Sequence, residues 1–273
     1  MTAGWPRVYT SAATMPELPD VEGFRRFLAR HASGRRIEGV SVPNPAILRN
    51  TTPQGIGRAL SGRTLARPRR VGKWLLAPAD GHILLLHFGM TGLLSWSSAP
   101  ACPHRHDRLI LRLDGGELRY RNMRMLGGVW LAWDEAEVPR LTGPLGPDAA
   151  EIDRDRLGAL LEGSRAGIKA LLMNQRRIAG IGNELSDEIL WRARVHPLRR
   201  ASSFNRRERG RIHRALREVI AVANRQGRIP VEDRWLRGQR GRRDPRCPRC
   251  GTSIERTTIA GRTAYWCPAC QPP

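Results

Sequence analysis

Four cysteines near the C-terminus constrain this chain more than any other feature. They read Cys247-x2-Cys250-x16-Cys267-x2-Cys270. Two CxxC pairs at that separation suit four thiolates arranged tetrahedrally around one structural zinc ion. With all four positions filled by protein, such a metal holds a small unit together and has no open site for chemistry. Disulfide pairing is the alternative, and it needs an oxidising compartment. The first fourteen residues lack the apolar core of a secretion signal. The fifth cysteine, Cys102, stands alone and reads as an inert residue.

Charge narrows the partner. The 273 residues carry a formal net charge of +22, which calls for a polyanion. No apolar run is long enough to span a bilayer, and no basic amphipathic helix points to a membrane surface. Nucleic acid is the expected partner. Of 47 basic residues only Lys73 and Lys169 are lysines. A lysine ammonium is compact and able to lose its proton, and a guanidinium is neither. In an arginine-rich chain each surviving lysine marks a place where arginine does not serve, unless two have survived by accident.

Patterning divides the chain. Residues 1–14 show no periodicity and are expected to be disordered or never made. Leu18, Val21, Phe24, Phe27 and Leu28 fall on one helical face. Residues 36–133 read as short strands with Gly-rich turns, the pattern of a β-sandwich. A hairpin is expected around Asp114-Gly115-Gly116. Arg69–Leu76 reads as one strand interrupted by Gly72. Leu141–Pro147 is the natural linker. Helical periodicity follows over 154–161, 167–174, 184–193 and 205–226, then a basic, weakly structured connector over 229–246. The expected class is α+β. Its parts are a sandwich over 15–142, a linker over 143–150, helices over 151–240 and the zinc unit over 241–273.

Three stretches can carry chemistry. Met15-Pro16-Glu17 places a proline behind a methionine that can be removed. Freed in that way, the Pro16 nitrogen is a secondary amine able to attack an electrophilic carbon and form an iminium. Glu17 beside it could move the proton. The same residues also suit the opening of a helix, with Pro19 in its first turn and acidic groups on its dipole. Gly180-Ile181-Gly182-Asn183 joins two helices, and its N–H groups could approach a phosphate. An ordinary tight turn would need the same glycines. Met90 and the Arg124 loop offer apolar and cationic probes that could enter a base stack, or simply pack in the core.

Together these residues resemble the formamidopyrimidine-DNA glycosylase / endonuclease VIII family of base-excision repair enzymes. The resemblance spans 15–273. It rests on Met15–Glu22, Gly72-Lys73-Trp74-Leu75, His87-Phe88-Gly89-Met90-Thr91-Gly92, Leu145-Gly146-Pro147, the Gly180–Asn183 turn and the four cysteines, all in order. It implies a β-sandwich, a helix-two-turn-helix domain and a β-hairpin zinc finger, with damaged double-stranded DNA between them. It also implies a monomer working in the bacterial cytoplasm around the nucleoid, without a membrane. The implied activity is base excision through a Pro16 Schiff base, then strand cleavage at the abasic site. Glu17 would serve as acid/base and Lys73 would act at the lesion. Met90 would fill the gap left by the extruded base. Arg124 would reach the estranged base with Leu126 as a wedge. Lys169, Asn183 and Arg262 would grip phosphates.

Departures from the family pattern shape the expectations. The probe loop reads Arg124-Met125-Leu126-Gly127 where the pattern has Arg-Arg-Phe-Gly, and Asn122 replaces an acidic residue before it. The segment from Gly227 to Arg240 is short. Members specific for 8-oxoguanine use a longer loop there to cover the extruded base, so this chain is not expected to specialise in 8-oxoguanine. Two rival readings remain, a non-catalytic binder of damaged or bent DNA on the same scaffold and a zinc-ribbon RNA-binding protein. The second leaves Met15–Glu22 unexplained.

Overall fold

The computed structural model describes residues 15–273. The expectation for residues 1–14 lies outside them. The chain begins with helix α1 (Leu18–Ala32). Glu17 is its N-cap residue: Glu17 N–H donates to Asp20 Oδ2 at 2.9 Å, and the Glu17 carbonyl accepts from Asp20 N–H at 3.0 Å.

Eight strands follow: β1 (Ile37–Ser41), β2 (Arg69–Val71), β3 (Trp74–Ala79), β4 (His82–His87), β5 (Gly92–Ser97), β6 (Asp107–Leu113), β7 (Gly116–Asn122) and β8 (Gly128–Ala132). They form two antiparallel four-stranded sheets, ordered β1-β6-β7-β5 and β2-β3-β4-β8. Inward residues of both sheets, among them Leu75, Leu84 and Leu86 against Leu109, Leu111 and Leu118, share one core with Val21, Phe24 and Leu28 of α1. The expected sandwich is present, and so is the hairpin at Asp114–Gly116. The stretch 69–76 differs. It is a tight hairpin rather than one broken strand, with Val71 paired to Trp74. Gly72 takes a left-handed φ of 56° there, and Lys73 stands at the tip.

Two short helices, α2 (Pro53–Leu60) and α3 (Val138–Thr142), flank the sandwich. The helical half contains α4 (Arg154–Glu162), α5 (Ile168–Met173), α6 (Asn183–Ala193) and α7 (Arg206–Gln226). They enclose a second core, which also takes in Leu18 from α1. The first residue of α1 thus belongs to one half and its following turns to the other. Farther along, Gly23 lies against Gly227 at the end of α7. A Cβ on Gly23 would sit 2.8 Å from the Gly227 carbonyl. Glycine lets these two backbones meet, and α1 pins the halves together.

The connector over 229–246 is more ordered than its composition suggests. Trp235, Leu236 and Gln239 are buried. Trp235 joins the helical core, and Leu236 packs with Trp191, Cys247 and Cys267 beneath the finger hairpin, β9 (Glu255–Ile259) and β10 (Arg262–Trp266). Among the described residues no helix is long and apolar enough to cross a membrane.

Candidate active site

The N-terminus of α1 meets the N-terminus of α6. Glu17 is 2% exposed although ionisable, and backbone donors from α6 explain how it is held. Gly182 N–H and Leu185 N–H donate to Glu17 Oε2 at 2.8 and 3.1 Å, and Glu184 N–H donates to Oε1 at 2.8 Å. The carboxylate sits on the open donors and positive dipole end of a helix. Gly180 and Gly182 make room for this contact. A Cβ on Gly180 would meet Leu18 Cδ1 at 2.5 Å, and one on Gly182 would meet Glu17 Cδ at 2.3 Å. The sequence left this turn open to a phosphate or to simple chain reversal; Gly182 N–H is taken by Glu17 and Gly180 N–H by Gln175 Oε1 at 2.9 Å.

A cleft of about 520 Å³ opens beside this contact. Glu17, Lys73, Met90, Asn183 and Arg262 all line it, as does Met15. Five of the expected site residues therefore converge from α1, the β2–β3 turn, the loop after β4, α6 and the finger. Pro16 is half-buried and adjoins two lining residues, Met15 and Glu17. Burial pushes the Lys73 ammonium below the usual lysine range, opposed by Glu17 and reinforced by Arg262. Burial also raises Asp20 to about 7. His87 falls to about 4 through burial and the nearby Lys73, so it is neutral at physiological pH.

The Lys73 turn is braced from the helical half. Asp148 accepts from Arg70 Nη1 and Nη2 at 2.6 and 3.0 Å and from Gly72 N–H at 2.8 Å. Asn183 ties α6 to the finger, donating from Nδ2 to the Thr263 carbonyl at 3.0 Å. Arg262 begins β10 and is exposed.

Lys169 requires a correction. The resemblance assigns it to a phosphate, but its side chain is 0% exposed. Its ammonium donates to Asp187 Oδ1 at 2.6 Å, Ser186 Oγ at 2.8 Å and the Asn183 carbonyl at 2.9 Å. All three protons are used, and the residue braces the first turns of α6 rather than reaching DNA. Asp187 also takes Arg240 Nη1 at 2.6 Å and Tyr265 N–H at 3.1 Å, which fastens the finger to the same helix.

Beyond the cleft, the Arg124 and Met90 loops touch. Arg124 Nη1 lies 3.5 Å from Met90 Sδ. Leu126 is 60% exposed, an apolar tip with no cover. Met125 turns back with φ 51° and packs on the sandwich core. Asn122, fully buried, organises the loop. It accepts from Met125 N–H at 2.9 Å and donates to Tyr120 Oη at 2.7 Å and to the Phe88 carbonyl at 3.2 Å. A carboxylate there could accept but could not donate. Sequence reading noted Asn122 only as a departure and passed over Asp148, Asp187 and Glu184. Their partners lie far along the chain, and nothing local marks them.

The four finger sulfurs lie within 4.8 Å of one another. Cys250 is 3.5 Å from Cys270 and 3.6 Å from Cys267, and Cys247 is 3.9 Å from Cys270. A tetrahedron with Zn–S of about 2.3 Å has S···S edges of about 3.8 Å, so the donor set fits one structural zinc.

Comparison with known proteins matches three consecutive family models. They are the formamidopyrimidine-DNA glycosylase N-terminal domain over residues 15–129, the formamidopyrimidine-DNA glycosylase H2TH domain over 145–234, and the zinc finger found in FPG and IleRS over 245–273. Two relatives called formamidopyrimidine-DNA glycosylase, from Alkalilimnicola ehrlichii and Geobacter metallireducens, are each 38% identical, over 94% of this chain and 100% of theirs. The Lactococcus lactis formamidopyrimidine-DNA glycosylase, solved non-covalently bound to DNA with an abasic site, superposes with a TM-score of 0.86. It is 27% identical, over 94% of this chain and 100% of its own. The same enzyme with DNA containing an oxidised pyrimidine gives 28% identity and a TM-score of 0.86 over the same shares.

Proposed function

The chain belongs to the formamidopyrimidine-DNA glycosylase family, and we propose that its base-excision chemistry runs through the Pro16 amine in the cleft just described. It is a DNA glycosylase and abasic-site lyase that acts on damaged DNA and carries one structural zinc. The observation that carries the proposed mechanism is the convergence of Glu17, Lys73, Met90, Asn183 and Arg262 on one cleft beside Pro16.

Pro16, as a free secondary amine, attacks C1′ of the damaged nucleotide. The C1′–N bond breaks, the base leaves with a proton, and an iminium joins Pro16 to the opened sugar. The iminium acidifies the 2′ proton. Its loss expels the 3′ phosphate, and water then releases the enzyme. An ionised carboxylate has about four lone-pair sites. Three of those on Glu17 hold α6, and the remaining one can exchange a proton with the sugar. Lys73 and Arg262 receive the phosphates flanking the lesion, and Asn183 holds one beside α6. Met90 occupies the space the base vacates, Arg124 reaches the estranged base and Leu126 wedges beside it. The zinc, gripped by Cys247, Cys250, Cys267 and Cys270, holds the finger that carries Arg262 and takes no part in bond breaking.

The cleft is completed within one chain, which supports a monomer. The curated relatives named above are bacterial, and nucleoid association belongs to this proposal. So does the division at 15–142, 143–150, 151–240 and 241–273, supported by the two separate cores.

Cleavage of a panel of duplexes tests this reading. Abasic sites should be cut through a covalent adduct, and 8-oxoguanine opposite cytosine should be excised more slowly than abasic sites are cut. No residue from 227–240 lines the cleft, and Gly238 is folded down against the Glu232 carbonyl, so nothing there covers an extruded purine. Tight binding of abasic DNA with no strand cleavage would favour the non-catalytic binder. An enzyme that excises 8-oxoguanine best would overturn the loop argument.

Lys73→Arg should lower single-turnover excision about tenfold, because small misplacements beside a reacting centre are costly. A guanidinium is larger and planar, and the turn that carries it is held by Asp148 through Arg70 and Gly72 N–H. Asn183→Ala should cost less at saturating DNA. Near-normal rates for Lys73→Arg would show that an ammonium is not required.

A further inference from the structure

Glu184 has no part in the mechanism above beyond its backbone N–H, yet the residue lines the cleft with Glu17. It lies in the first turn of α6, and its side chain is 16% exposed. Its two carboxylate oxygens are unequally used. Oε2 is paired closely with Arg237 Nε. Oε1 has Arg240 Nε at 3.5 Å, a weak contact, because Arg240 places a closer bond on Asp187 at 2.6 Å. Acceptor capacity therefore remains on Oε1. Burial raises this carboxyl above the usual range, with Arg237 and Arg240 opposing the rise and Glu17 adding to it.

The charges divide the cleft. Lys73 and Arg262 form a cationic side suited to phosphates. Glu17 and Glu184 add carboxylate acceptors on another side, with Arg237 and Arg240 against Glu184. A neutral base fits there if it brings hydrogen-bond donors. A base edge with only acceptors would face a carboxylate without a proton between them, at the cost of desolvating both.

Building on the glycosylase reading, we infer that Glu184 is a specificity-determining residue that accepts hydrogen bonds from the extruded base. Its Oε1 takes a ring N–H or exocyclic amino donor of the extruded base. Arg237 holds the carboxylate in place.

The test measures two single-turnover rates in the same flanking sequence, base excision and cleavage of a preformed abasic site. The duplexes carry formamidopyrimidine-guanine, 5-hydroxycytosine or dihydrouracil. The enzymes are wild type, Glu184→Gln and Glu184→Leu. The readout is the ratio of excision to abasic-site cleavage, which a general loss of fold does not change. For the base the wild type excises fastest, the ratio should fall at least tenfold in Glu184→Leu, with Glu184→Gln between, since losing a charged acceptor costs more than weakening it. A ratio within threefold of wild type for Glu184→Leu overturns the inference. So does a proportional loss of both rates, which would make Glu184 a structural prop. A wild-type protein that leaves abasic sites uncut would instead overturn the glycosylase reading on which this rests.

Discussion

Gly182→Ala is expected to lower both base excision and abasic-site cleavage by roughly 100-fold or more, the scale of a lost general acid/base, in a protein that still folds and keeps its zinc. Gly182 has φ −118°, which alanine adopts without strain. The difficulty is space. The new methyl would lie 2.3 Å from Glu17 Cδ, 2.5 Å from Oε1 and 2.7 Å from Cγ. The carboxylate is the end of a side chain, so it swings away while the backbone stays. Its three bonds to α6 are then lost, and the proton acceptor leaves the cleft. The helix donors can turn to water once the carboxylate has gone. DNA affinity should change little, because Lys73 and Arg262 are untouched. Gly57→Ala is the matched control, since a Cβ there meets nothing within 4 Å. Single-turnover rates, DNA affinity and zinc content together decide the matter. Near-normal turnover by folded Gly182→Ala would show that the carboxylate is not needed where it lies.

The sequence made some of this arrangement visible and hid the rest for physical reasons. Local rules located what is local. Strand alternation and Gly-rich turns gave the sandwich. Four cysteines with short internal spacings gave the finger. The scarcity of lysine pointed to Lys73 before its position was known. The same scarcity marked Lys169, but its phosphate role came from the resemblance, and only its partner Asp187 shows that it is an interior brace. Burying that charge requires such a partner. The glycines at 180 and 182 were recognisable as a close approach, but not what approached. The answer lies 165 residues away in the chain, at Glu17. Asp148, Asp187 and Glu184 were hidden for the same reason. Each is an ordinary surface acid by composition, and each acquires its role from groups brought to it by the fold.

The largest effect belongs to Pro16. While residues 1–14 remain attached, its nitrogen is a tertiary amide with its lone pair delocalised into the carbonyl of Met15. Attack on C1′ is then lost altogether. Lys73 lines the same cleft, but it would have to leave its braced turn to take over. Glu17 and the cationic side of the cleft are indifferent to the state of the amine, so abasic DNA should bind either form. The family match begins at residue 15, one position before the proposed nucleophile. The account therefore predicts that active protein begins at Pro16. The most direct measurement is borohydride reduction in the presence of abasic-site DNA, with mass spectrometry of the cross-linked peptide, on protein that starts at Pro16 and on protein that retains residues 1–14. The account predicts a stable adduct on the Pro16 nitrogen in the first and none in the second until it is trimmed. Equal trapping by protein with residues 1–14 intact, or an adduct carried on Lys73, would contradict it.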